Sequence, residues 1–161
     1  MTAPSIRAAP MTPFVRALAF LASWAAASAA GAAPTVTDAW IRATPPGART
    51  AAAYLTITVA GGADRLVGAA TPAARAVEIH THVTEGGLQR MTRLEDLALP
   101  AGEAVRLEPG GLHLMLIDIA MPLEAGTKVA LSLRFANAET VEIEAPVVDA
   151  RTAAPPAHAA H

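Results

Sequence analysis

Pro109-Gly110-Gly111-Leu112-His113-Leu114-Met115-Leu116-Ile117-Asp118-Ile119 carries the clearest structural signal in this chain of 161 residues. A Pro-Gly-Gly turn opens it, and then apolar and site-like residues alternate. Such alternation marks a strand with one face in a core and the other face elsewhere. Residues i and i+2 of a strand share a face and stand about 6.6 Å apart. Leu112, Leu114 and Leu116 therefore turn together into a core, and His113 and Met115 turn together away from it.

The same grammar extends to both sides. Short runs rich in β-branched and aliphatic residues cover 35–42, 52–59, 65–69, 76–84, 88–94, 104–107, 112–119, 128–135 and 140–144. Pro45-Pro46-Gly47, Gly61-Gly62, Thr71-Pro72 and Gly86-Gly87 punctuate them. Short strands with turn signals about every 8–12 residues predict an all-β sandwich or barrel. No segment shows a capped helical period, and the alanines over 73–76 suffice for one helical turn at most. Met121, beside Pro122, reads as a packing residue.

The strand over 76–84 places Val77, Ile79 and Val83 on one face and Glu78, His80 and His82 on the other. The Gly86-Gly87 turn then sends the chain back through Met91, towards the His80 strand. Three strands can thus supply one site from His80, Met91, His113 and Met115. Taken singly, a strand histidine is usually a surface or hydrogen-bonded residue and a methionine a core filler. Taken jointly they are harder to dismiss, because His80, His82, Met91, His113 and Met115 all fall within one third of the chain. Two imidazoles and two thioethers form a soft, neutral donor set, and that softness selects Cu(I).

The chain has no cysteine, which excludes a blue-copper electron carrier because such a site needs a thiolate. The competing reading is a metalloenzyme with a zinc or copper(II) centre built from His80, His82 and His113 with Glu78. Catalytic zinc normally takes three His or carboxylate ligands and an open position, and two neighbouring thioethers argue against it. A purely structural or adhesive β-sandwich would make the spacing accidental.

At the N-terminus, Arg7 and Arg16 precede an alanine-rich apolar stretch ending in Ala30-Gly31-Ala32, the order of parts in a secretory signal peptide. The expected organisation is a cleaved leader over 1–32, a single domain over 33–149, and an Ala/Pro-rich tail over 150–161 holding His158 and His161. Removing Arg7 and Arg16 leaves ten basic against fourteen acidic residues. With no basic run, the electrostatic footprint of a nucleic-acid binder is missing. There is no second apolar span, so the mature domain is expected to lack a membrane-spanning segment.

The spacing His80-x10-Met91-x21-His113-x-Met115 resembles the signature of the PCu(A)C family of periplasmic copper chaperones. Asp38-Ala-Trp-Ile-Arg42, Pro45-Pro46-Gly47, Ala52-Ala53-Tyr54, the stretch 97–102 and Pro109-Gly-Gly-Leu-His-Leu-Met115 are similar too, so the likeness spans about 36–147. The resemblance implies a cupredoxin-like Greek-key β-sandwich that binds Cu(I) through His80, Met91, His113 and Met115. It also implies a periplasmic protein that passes copper to the dinuclear centre of a cytochrome c oxidase subunit or to another copper chaperone. A monomer is expected. One position departs from the pattern: His82 stands where members of the family often carry methionine. A harder donor there would either favour Cu(II) or leave the position outside the ligand set, so His82 is expected as an auxiliary donor at most, spare for Cu(I).

Overall fold

Alternation written in the sequence reappears as alternating burial. In the computed structural model, which describes residues 33–149, Val129, Leu131, Leu133 and Phe135 are buried while Ala130 and Arg134 between them are exposed and Ser132 is half-buried. The leader expected over 1–32 and the tail over 150–161 lie outside the described residues. The strands are β1 (Thr35–Arg42), β2 (Thr50–Thr58), β3 (Asp64–Ala70), β4 (Ala74–Glu85) and β5 (Leu88–Leu94). They continue with β6 (Leu97–Leu99), β7 (Ala104–Leu107), β8 (His113–Ile119), β9 (Lys128–Phe135) and β10 (Val141–Val148). No helix occurs among the described residues.

The strands form one sheet in the order β5-β4-β8-β2-β1-β10-β9-β3-β6. A further pairing, Ala69 against Val77, joins β3 to β4 and closes the sheet on itself. Seven strands make the closed barrel; β5 and β6 flank it, and β7 pairs with β2. The two layers of the expected sandwich are thus opposite walls of one cupredoxin-like barrel. Closure removes most free strand edges, and β5 remains as an outer strand beside β4. All neighbours run antiparallel except β1 and β10, where Ile41 faces Val147 and Arg42 faces Val148.

Inside the barrel Ile41, Leu55, Ile57, Leu66, Leu114, Leu116, Leu131 and Leu133 are at most 1% exposed. Each such side chain stabilises the fold by roughly 1.5–3 kcal/mol. β1, β5, β7 and β9 keep the limits expected from the sequence, β2, β3, β4 and β8 differ by one or two residues, and two differences are larger. β6 is too short, at three residues, to leave a periodic signal, and β10 runs past Glu144 through Pro146 to Val148. Proline survives there because its ladder partner is Lys128, the first residue of β9. Met121 is 73% exposed, so its reading as a packing residue is corrected. It follows the end of β8, in a loop with no strand to turn it inward.

Two local features fix how neighbouring segments meet. Gly86 and Gly87 have φ of 58° and 81°, and Glu85 pairs directly with Leu88. A two-residue hairpin with positive φ at both positions is a type I′ turn, which fixes the register of its strands. At the start of β3 the buried Asp64 accepts from the backbone N–H of Arg65 (2.7 Å), Asn137 (3.0 Å) and Ala138 (3.0 Å). That carboxylate ties β3 to the β9–β10 connection.

Candidate metal centre

The β4–β5 register sets Met91 directly opposite His82, and His80 opposite Arg93. The β4–β8 register sets His80 opposite His113 and Glu78 opposite Met115. Cross-strand partners share a face. Met91, His82, His80, Glu78, His113 and Met115 therefore occupy one face of three adjacent strands. The sequence expectation that Met91 returns towards the His80 strand holds, with His82 as its immediate neighbour.

His80 and His113 ring centroids lie 5.9 Å apart, and His82 stacks on His113 at 5.2 Å with 27° between planes. Met91, His113 and Met115 line a common cavity of about 260 Å³. Its other wall comes from Arg42, Thr44, Pro45 and the start of β2. Residues separated by more than twenty positions in sequence thus meet at one opening. His80 is not among the cavity's lining residues and sits on β4, between the strands that carry Met91 and His113.

Each histidine has one nitrogen accounted for or conspicuously free. His113 Nδ1 lies 3.0 Å from the Gly111 carbonyl oxygen. A carbonyl only accepts, so Nδ1 donates its proton and Nε2 keeps the lone pair. His80 Nε2 lies 2.8 Å from Glu78 Oε2 and donates to that carboxylate in the same way. His80 Nδ1 is left as the lone-pair nitrogen, and it is buried without a hydrogen-bond partner. His82 Nδ1 is buried and unpartnered too. Buried polar atoms normally find partners, and one left alone costs roughly 1–3 kcal/mol. Two such atoms within one histidine cluster have the character of waiting donors.

The electrostatics favour neutral imidazole. Burial lowers the His113 pKa first of all; the Gly111 carbonyl opposes this, and the nearby His82 and His80 lower it further. Neutral imidazole is the form that binds a metal. The hydrogen bond from His80 holds the Glu78 carboxyl below its ordinary range against some desolvation, and the Arg93 charge adds to the effect. Arg93 Nη1 stands 3.3 Å from Glu78 Oε1. A carboxylate behind a histidine fixes the tautomer and raises the basicity of the opposite nitrogen.

Exposure grades across the face. Met91 is 48% exposed whereas His113 is 4% exposed, although it points away from the leucines of its own strand. The cover comes partly from Tyr54, whose ring lies 6.4 Å from His113, and Trp40, 4.5 Å beyond Tyr54. The sequence reading had no role for Glu78 towards His80, for the Arg42–Pro45 wall or for this aromatic row. The Glu78-x-His80 spacing, which puts both on one strand face, is the signal that could have found the first.

Fold and face together define a cupredoxin-like β-barrel carrying a mixed imidazole–thioether donor set beside an open cavity. Residues 34–147 match a family model described as "Putative lipoprotein LpqE-like". The chain belongs to this LpqE-like family, which is the PCu(A)C family. It is similar to "Putative lipoprotein Lxx21020" of Leifsonia xyli subsp. xyli (strain CTCB07), at 36% identity over 71% of this chain and 69% of that protein. Among solved structures it is similar to a copper-bound PCuAC domain from PmoF2, with 28% identity, a TM-score of 0.63 and coverage of 74% of this chain and 96% of that one. The solution structure of CuI-DR1885 from Deinococcus radiodurans is similar at 32% identity and TM-score 0.61, covering 78% of this chain and 84% of that one.

Proposed function

We propose that this barrel is an exported copper chaperone that carries Cu(I) on Met91 and Met115 sulfur and His80 and His113 nitrogen. The observation that carries the reading is the cavity shared by Met91, His113 and Met115, beside a buried His80 Nδ1 that has no partner. Both thioethers are neutral and soft, so they prefer Cu(I) and need no deprotonation. Methionine also forms no disulfide, so an oxidising compartment leaves the donor set intact.

Holding and releasing copper make opposite demands, and the graded exposure answers both. Buried His113 and half-buried His80, each held by a hydrogen bond on one ring nitrogen, give fixed, pre-oriented nitrogens. Exposed Met91 is the ligand that an incoming donor displaces first, and ligand exchange then moves the ion to the acceptor. The acceptor we favour, on the family resemblance, is the dinuclear copper centre of cytochrome c oxidase. Mixing Cu(I)-loaded protein with the metal-free copper domain of that oxidase subunit should build the acceptor's visible absorption; an acceptor left colourless removes it as the recipient.

Export is supported by the leader-like pattern over 1–32 and by the lipoprotein descriptions of the relatives. None of the 161 residues is a cysteine, so none offers the sulfur to which many anchoring lipids are attached. No helix among the described residues is long and apolar enough to cross a membrane. The zinc-enzyme alternative loses ground because the soft thioethers of Met91 and Met115 line the cavity beside His113, and zinc sites are built from His, Asp, Glu and Cys. Anaerobic Cu(I) titration with X-ray absorption tests the site. One ion per chain with equal sulfur and nitrogen is expected, and a shell without sulfur would refute the assignment.

A further inference from the structure

We propose that His82 is a copper ligand in its own right, and that with His80 and His113 it gives this site a second, nitrogen-rich mode that holds Cu(II). The inference rests on the Cu(I) site proposed above and assigns to it a residue which that four-ligand set leaves out. Three observations set His82 directly against the proposed ligands, although it does not line the cavity itself. It is the direct cross-strand partner of Met91, a position that His80 does not hold. Its ring lies nearer to His113 than the His80 ring does, 5.2 Å against 5.9 Å, and stacks on it. Its Nδ1 is buried with no hydrogen-bond partner, a condition shared only with His80 Nδ1 among the described side-chain atoms.

Chemistry separates the two modes. Cu(II) prefers nitrogen and oxygen donors in a tetragonal arrangement, whereas thioether sulfur suits Cu(I). Three imidazoles and two thioethers on one face give each oxidation state donors of the kind that it prefers. The nitrogen set is not assembled beforehand, since no three such donors gather to hold a metal as the described side chains stand. The stacked His82 ring has to leave the face of His113 for its nitrogen to join the others. The Cu(II) mode is therefore an induced arrangement of residues already adjacent, and the ion itself supplies the differential binding free energy that drives it.

The test uses the full mature chain with copper(II) sulfate as the probe, read by electron paramagnetic resonance and by competition with a Cu(II) chelator. His82→Met keeps a flexible side chain that offers sulfur only. It should weaken Cu(II) binding by about tenfold or more, the scale on which even outer-shell changes act, and reduce the nitrogen hyperfine structure. Cu(I) affinity, measured with a Cu(I) chelator, should stay the same or rise. His82→Gln serves if the first variant fails to fold. Unchanged Cu(II) affinity and hyperfine structure in either folded variant would overturn the proposal. So would loss of the Cu(II) signal in a His158→Ala/His161→Ala chain with His82 intact, since the ion would then sit on the tail. Met115→Ile is measured in parallel for Cu(I): its failure to weaken Cu(I) strikes the four-ligand reading, while the His82 result stands or falls by itself.

Discussion

Leu114 and Met115 are adjacent in the chain and serve opposite ends. Leu114 is fully buried in the core, and Met115 lines the cavity on the other face of the same strand. Leu114→Ala should therefore cost about 2–5 kcal/mol by opening a cavity. Met115→Ile keeps bulk and β-propensity but loses the sulfur. Its metal-free melting temperature should stay near that of the parent, while Cu(I) affinity falls by at least about tenfold, the scale of metal-site perturbations. Equal Cu(I) affinities would exclude Met115 as a ligand. Glu78 is the second residue to probe, because its carboxylate accepts the hydrogen bond from His80 Nε2–H, with 2.8 Å between nitrogen and oxygen. Glu78→Gln retains an acceptor oxygen but removes the charge. Cu(I) affinity should drop by about 10-fold, the lower end of what outer-shell carboxylates contribute, with the metal-free melt little changed. An unaltered affinity would reduce the Glu78–His80 contact to a surface ion pair.

Individual strands are legible in the sequence to different degrees, for physical reasons. β1, β5, β7 and β9 begin and end where alternation meets glycine, proline or a charged turn. β6 escapes because Leu97-Ala98-Leu99 offers a single alternation before Pro100. β10 reads short because Pro146 looks like a terminator unless one knows that β9 begins opposite it. The ligand spacing is visible as numbers, and the placement of His82 opposite Met91 is not, since a hairpin's register depends on its turn type. That turn makes a prediction. An added Cβ at Gly87 meets nothing within 4 Å, so Gly87→Val acts through its φ of 81° alone. A strain of about 1–2 kcal/mol is expected for a side chain forced into the left-handed region. Cu(I) affinity should weaken with it as Met91 loses its register; full affinity would show that the hairpin does not govern the site.

Asp64 tests a different joint, between β3 and the β9–β10 connection. Burial acts to raise its pKa, but the backbone donors of Arg65, Asn137, Ala138 and Ala136 outweigh that and hold it below the ordinary value. A carboxyl whose folded pKa is depressed contributes stability that is present above its unfolded pKa, near 4. That stability is lost as pH falls through the lower folded value. Asp64→Asn should remove roughly 1.5–3 kcal/mol at neutral pH, the range for hydrogen bonds to a charged group. The gap between variant and parent melting temperatures should narrow in acid. A gap independent of pH would show that the carboxylate charge is not what binds these elements.

For the whole barrel, the core and the site use opposite faces of the same strands, so folding does not wait for metal. Leu114 and Leu116 pack inside while His113 and Met115 meet outside the hydrophobic interior. Metal-free protein should melt in one cooperative transition in calorimetry. Cu(I) should then add stability by mass action, about 2.7 kcal/mol at a hundredfold excess over its Kd. A broad, non-cooperative melt in the absence of copper would mean that the ligands hold the barrel together. Much of this arrangement is legible in the alternation of 112–119, and the closing contact between Ala69 and Val77 is not, because neither residue carries a pairing signal of its own.

The row of rings from Trp40 through Tyr54 to His113 has an optical consequence. In a chain beginning at Ala33, Trp40 is the sole tryptophan. Its indole rests 4.5 Å from Tyr54, which in turn stands 6.4 Å from an imidazole of the site. An open-shell Cu(II) ion arriving at that imidazole would quench the indole emission, and its removal by a chelator would restore the light. Stopped-flow fluorescence can thus follow Cu(II) loading and removal in real time, with no dye attached and no residue changed.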